Sequence, residues 1–263
     1  AVAGRLVSAN GGPVPWALVR LVDDAGENVS GSVTTERGTF RLSAPAPGTY
    51  RVRAERIGFR LTLSEPLELV EAETFPLTLI ASDAAITLDR LEVSSRKSCG
   101  LDEEEGSDLF AIWTEVEKAL ELQIATDESG LYSYRAEVYD NVRVDLEGRP
   151  TNPSNAETRT YETTIRGSSG FYAFDPEVLV ERGFRWGEHH FFAPDARTLL
   201  SEPFQNTHCY RPRRKGDRLG LAFEPEHNTG DRVDVKGTLW LDAADGKLRT
   251  VEAKTGLMIK VHD

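Results

Sequence analysis

The sequence is short of methionine, cysteine and long apolar runs. Methionine occurs once, at Met258, and the chain opens on Ala1. A cleaved leader and a trimmed chain are equivalent accounts of that start. No stretch approaches the run of about 20 apolar residues that a membrane-crossing helix needs, so no transmembrane segment is expected. Two cysteines in 263 residues exclude a disulfide framework as the basis of the fold. Basic residues are also outnumbered: 31 Lys and Arg stand against 43 Asp and Glu, for a formal net charge of -12. That balance excludes nucleic acid as the expected partner, because phosphate binding needs a cationic surplus on at least one face. One basic cluster, Arg211-Pro-Arg-Arg-Lys215, goes against the trend. It reads as a solvated loop, with contact to an anionic surface as the functional alternative.

What is present describes a folded chain. Hydrophobic residues make up 39% and charged residues 28%, a globular and not a disordered balance, and the length allows one large domain or two ordinary ones. From residue 1 to 93, short runs alternate apolar and polar residues between Gly- and Pro-containing turns. The runs are Val2–Val7, Ala17–Val22, Ser32–Thr35, Thr39–Leu42, Tyr50–Ala54, Leu67–Val70 and Phe75–Leu79. Each has one apolar face, so two sheets must pack together to hide them, as in a seven-stranded β-sandwich. Gly38 and Gly48 are expected to supply tight turns before Phe40 and Tyr50 enter the core.

The segments Gly4-Arg-Leu-Val7, Gly12-Pro-Val-Pro-Trp-Ala-Leu-Val19, Thr35-Glu-Arg-Gly-Thr-Phe-Arg-Leu42, Pro47-Gly-Thr-Tyr-Arg-Val52 and Ile57-Gly-Phe59 occur in an order that resembles the carboxypeptidase regulatory-like domain. The resemblance implies a transthyretin-like sandwich acting as a binding or folding-support module of exported proteins, without catalysis of its own. The zinc peptidase domain that can accompany such a module would show a His-x-x-Glu pair, and the sequence has none.

Residues 94–106, with Ser94-Ser-Arg-Lys-Ser-Cys-Gly100 and Asp102-Glu-Glu-Glu105, read as a linker. The remainder, 107–263, reads as a β-rich domain. A helix is expected over 108–123, because Leu109, Ile112, Trp113, Val116 and Leu120 recur on one face after Ser107 or Asp108 as cap. Leu131–Val138 and Val142–Leu146 look like a hairpin, Thr158–Arg166 a strand, and Asp175–Glu181 a short helix. Leu219–Glu224, Val233–Asp242 and Lys247–Lys254 form a meander, with Leu257–Val261 a final strand. Gly237–Asp242 followed by Gly246–Glu252 resembles the strand-turn-strand of lipoprotein-carrier-type half-barrels of the cell envelope. That resemblance implies a curved antiparallel sheet with the helix against its concave side. A filled core is the commoner interior of such a sheet, and an apolar ligand cavity the alternative.

Few residues point to chemistry. In an exported chain, Cys99 and Cys209 are expected to form a disulfide that pins the linker to the second domain. A catalytic cysteine would want a base, and His208 is adjacent, but neighbours on a strand point to opposite faces. Glu188, His189, His190, His208 and Cys209 lack the spacing of a zinc set, and no metal is expected. Asp23-Asp24 and Asp102–Glu105 lack the alternating ligands of a calcium loop. No nucleophile elbow, phosphate loop or dinucleotide fingerprint occurs, so neither catalytic nor cofactor-binding residues are named. Phe171-Tyr-Ala-Phe174, Phe184-Arg-Trp186 and Phe191-Phe192 read as core filling, with an aromatic platform for a sugar ring or a partner as the alternative. Asn28-Val-Ser30 matches a glycosylation acceptor, a triplet common by chance.

These readings describe a mainly β, two-domain protein of the periplasm, cell surface or extracellular space that binds or scaffolds rather than catalyses, with a protein or surface glycan as partner. Two other readings stay open. One is self-association through strand addition into a fibre or surface layer, using the strand-like Ala1–Val7. The other is an enzyme with an unrecognised site.

Overall fold

The computed structural model describes residues 1–82, 98–99, 101, 108–129, 134–140, 157–163, 174–186, 190–227, 232–242 and 248–256. The protein is mainly β. Eight strands build the first domain: β1 (Val2–Val7), β2 (Leu18–Val22), β3 (Asn28–Val33), β4 (Thr39–Leu42), β5 (Gly48–Glu55), β6 (Thr62–Leu63), β7 (Leu67–Leu69) and β8 (Phe75–Ile80). One sheet runs β4-β1-β8 and the other β3-β2-β5-β6, with β7 also paired to β5. Val2, Leu6, Phe40, Leu42 and Leu79 from the first sheet meet Val19, Leu21, Tyr50 and Val52 from the second in one buried core. The alternation read from the sequence is therefore the alternation of core and solvent faces.

Three local expectations are corrected. The sandwich has eight strands, because the two-residue β6 pairs Thr62 with Ala54 and Leu63 with Arg53. The third strand begins at Asn28, four residues before Ser32, with a register shift at Leu21/Val22 that leaves Val29 as the extra residue. Gly38 has φ 73° and makes a tight turn, but Gly48 is the first residue of a strand and not a left-handed turn residue. At Gly38 a side chain would also meet the Leu6 carbonyl at 2.4 Å, so both conformation and space demand glycine there.

The second domain contains β9 (Ser98–Cys99), α1 (Asp108–Ser129), β10 (Tyr134–Asp140), β11 (Glu157–Thr163), α2 (Pro176–Arg182), β12 (Arg185–Trp186), β13 (His190–Phe191), α3 (Ala196–Leu200), α4 (Glu202–Thr207), β14 (His208–Lys215), β15 (Arg218–Pro225), β16 (Asp234–Asp242) and β17 (Leu248–Gly256). Its main sheet is antiparallel, in the order β17-β16-β15-β14-β9. Ile112, Trp113, Val116 and Leu120 of α1 pack on Tyr210, Leu221, Phe223, Val235, Leu239 and Leu241, and Phe184, Leu199 and Phe204 complete that core. Among the described residues, these side chains meet in one buried cluster.

The helix runs to Ser129, beyond the expected residue 123, because Ile124 still packs on the core and Thr126 is buried. The basic cluster at 211–215 belongs to a strand, not to a loop. Pro212 does not break β14, since its ring faces the core and the strand pairs with β15 along its whole length. The strand β10 pairs with β11; the other arm of the first expected hairpin, 142–146, lies outside the described residues, as does 257–261. The short helix at 175–181 is α2, capped by the Asp175 carboxylate accepting from the Glu177 N–H.

Candidate functional site

The inner face of the main sheet is covered by helices, so its other face is the candidate surface. Strand alternation decides which residues occupy it. On β14, His208, Tyr210 and Pro212 point inward and are buried, which turns Cys209, Arg211 and Arg213 outward. On β15, Leu219, Leu221 and Phe223 point inward, leaving Gly220, Ala222 and Glu224 outside. On β16, Lys236, Thr238 and Trp240 share the outer face. Pairing aligns these into rows across the sheet: Arg211 lies beside Ala222, Ala222 beside Thr238, and Thr238 beside Glu252.

The small side chains in the middle of those rows leave a trough of about 350 Å³. Ala222 and Thr238 form its floor, Arg211 and Arg213 one wall, and Lys236, Glu252 and Lys254 the other, with Glu224 also in the lining. Trp240 continues the face in the next row. Its six-membered ring lies where a side chain at Gly220 would be, 2.8 Å from that position, so glycine is what lets the indole lie down on the sheet. The Arg211 Nε is buried without an acceptor. None of Arg211, Arg213, Lys236 and Lys254 forms an ion pair with a described residue. A chain with a net charge of -12 thus carries a cation-walled trough on one sheet.

The disulfide expected between Cys99 and Cys209 is present, across 110 residues of sequence. Cys209 is paired with Cys99 in register, so the bond fastens β9 to the edge strand β14 beside the trough. As half of a disulfide, Cys209 has no thiolate to offer a substrate or a metal. His208 faces the opposite side of the strand, 1% exposed and stacked on Phe204 at 3.8 Å between ring centroids. Its Nδ1 faces the Phe204 carbonyl at 3.0 Å, and its Nε2 faces the Val235 carbonyl at 3.2 Å and Asp234 Oδ1 at 3.4 Å. Burial pushes the Asp234 carboxyl up, but hydrogen bonds from His208 and the Val235 N–H, with the charges of His208 and Arg232, hold it below its ordinary value.

The other residues singled out in the sequence fall elsewhere. Glu188, His189 and Asp102–Glu105 lie outside the described residues, as do Phe171 and Tyr172. Phe184 is core, and Phe174 meets Phe192 edge-on at 5.5 Å between centroids. Asp23 Oδ1 accepts the N–H groups of Ala25 and Glu27, which is turn chemistry. Asn28 is exposed at the start of β3.

The order of sandwich strands and the segments listed for the first third agree with a family match over residues 1–81. Residues 1–81 form a carboxypeptidase regulatory-like domain. No curated protein matches the chain. Among solved structures it is similar to the 5-hydroxyisourate hydrolase of Klebsiella pneumoniae, with 18% identity over 31% of this chain and 89% of that one, at a TM-score of 0.26. It is also similar to 3-chlorocatechol 1,2-dioxygenase of Rhodococcus opacus 1CP, with 11% identity over 31% of this chain and 58% of that one, at 0.23. A third is a type II cohesin–X–dockerin complex of Acetivibrio cellulolyticus, with 15% identity over 43% of this chain and 72% of that one, at 0.26. Likenesses this partial carry no activity or partner over to this chain.

The regulatory-like domain is held to the second domain through α1. Glu115 is fully buried and pairs with Lys118 at 2.6 Å. Glu115 also accepts the Gly58 N–H at 2.6 Å, and Lys118 donates to the Phe59 carbonyl at 2.8 Å. One turn on, Arg20 of β2 reaches Glu55 at 2.8 Å and Glu121 of α1 at 3.1 Å, while Arg53 holds the other Glu55 oxygen at 2.7 Å. Glu117 lies beside this group. Burial, then the Glu121 and Glu55 charges, raise its carboxyl against the opposing pull of Arg53 and Arg20. The polar face of α1 is therefore an interface between domains.

Proposed function

We propose that this is an exported, non-enzymatic binding or scaffold protein of the cell envelope or extracellular space, in which the regulatory-like domain supports a ligand-bearing second domain. The observation that carries the reading is the pairing of two opposite surfaces on one element. The α1 polar face is spent on holding the sandwich, and its apolar face holds the sheet whose far side bears the open trough. A cross-chain disulfide supports export, since such bonds persist in oxidising compartments.

A second reading, self-association, draws on β8. It is an edge strand in the described residues, and its Phe75 and Ile80 are 38% and 62% exposed. Donation of Val2–Val7 to a neighbour is disfavoured, because β1 already pairs with β4 on one side and β8 on the other. Light scattering on non-reduced protein across a concentration series separates the readings. A monomer throughout, with salt-sensitive adsorption to envelope preparations, supports the binding module. Concentration-dependent oligomers or filaments would replace it with the scaffold.

A further inference from the structure

We infer that the trough on the outer face of the β14–β17 sheet binds a carboxylated polysaccharide, with Arg211, Arg213, Lys236 and Lys254 receiving its carboxylates. This rests on the reading of the second domain as the ligand-bearing part and names the ligand class.

The cations stand on both walls of an open trough. From β14 to β16 the sheet spans about 10 Å, two strand spacings, which matches one or two sugar rings laid across it. Arg211 and Arg213, two residues apart on β14, project to the same side, and a guanidinium presents paired donors to a planar carboxylate.

The rest of the lining separates a sugar from other polyanions. The floor of Ala222 and Thr238 is shallow and offers no pocket for the buried aromatic or aliphatic anchor on which protein interfaces depend. Glu224 and Glu252 in the lining repel a polyanion that has no hydroxyl groups, but accept from hydroxyls. A polymer bearing hydroxyls as well as carboxylates suits both walls. Trp240, in the row adjacent to the floor, supplies a ring face for the C–H side of a sugar. The net charge of -12 repels any polyanion elsewhere, which confines an anionic ligand to this cation-bearing place.

Titration calorimetry on the full, oxidised chain tests this with oligogalacturonate, the neutral maltodextrin of equal length, and poly-L-glutamate. Oligogalacturonate is expected to bind, with affinity falling about tenfold or more in Arg211→Ala/Arg213→Ala and several-fold in Lys236→Ala/Lys254→Ala. The second pair is exposed and leaves the core untouched, so it separates loss of binding from loss of fold. The maltodextrin is expected to give no heat. Binding of poly-L-glutamate but not of oligogalacturonate overturns the sugar assignment and leaves a ligand-bearing second domain standing. Binding of oligogalacturonate that is unchanged in both double variants overturns the trough as its site. No binding of either polymer by folded protein overturns the inference, and salt-sensitive adsorption of that same protein to envelope preparations would show that the broader reading survives it.

Discussion

Glu115 and Lys118, three residues apart on α1, form a 2.6 Å ion pair from which solvent is excluded, and each also binds the backbone of the other domain at Gly58 or Phe59. A buried pair that is fully hydrogen-bonded is tolerated, whereas half of one is not. Lys118→Met alone leaves a buried carboxylate and is expected to cost about 3–5 kcal/mol. Glu115→Leu/Lys118→Met removes both charges and should cost less than the sum of the singles. Urea unfolding of the four proteins gives the coupling. Additive losses would show that the two side chains do not act as a pair.

Asp234 is held below its ordinary carboxyl value of 3.8, burial opposing and hydrogen bonds from His208 and Val235 prevailing. A depressed acid stabilises the fold above its unfolded pKa, and that contribution is lost as pH falls through the folded value. Asp234→Asn should therefore be less stable than the parent at neutral pH, with the gap closing below about pH 4. Thermal melts across the acid range check it, and a gap that stays constant with pH would contradict it.

Closing 110 residues with the Cys99–Cys209 bond contributes about 4–5 kcal/mol in the chain-entropy account. Cys99→Ser/Cys209→Ser should lower the guanidinium midpoint accordingly. Hydrogen exchange should rise first in β14, whose edge β9 covers, while the regulatory-like domain keeps its protection. Equal midpoints for the oxidised protein and the variant would show that the bond adds no stability.

Tyr210 is 1% exposed and its hydroxyl has no hydrogen-bond partner among the described residues, so burial holds the phenol well above its ordinary 10.0. Tyr210→Phe removes an unsatisfied group and should be neutral or stabilising by about 1 kcal/mol. In the parent, one of the seven tyrosines should stay protonated under alkaline titration until the chain unfolds. Stability then falls as pH rises above 10, since the unfolded phenol ionises first. A destabilised Tyr210→Phe would point to a partner such as a bound water.

The sequence by itself determined the sandwich, the helix stripe and the cysteine pair. Alternation with period two, as in Thr39–Leu42 and Tyr50–Ala54, is the direct imprint of a half-buried strand, and Ile112, Trp113, Val116 and Leu120 are that of a half-buried helix. Other features were decided only by tertiary structure. Arg211–Lys215 carries four charges and a proline, so its local signal is that of a loop; pairing with β15 makes it a strand and turns Arg211 and Arg213 to one face. The helices α3 and α4 are too short for a periodic stripe, and each rests on a cap, Asp195 or Ser201. Nothing local marks the face of Glu115, Lys118 and Glu121 as buried, because charge normally seeks water. Only the docking of β2 and the Gly58–Phe59 turn against them, more than fifty residues away in sequence, made that face an interface.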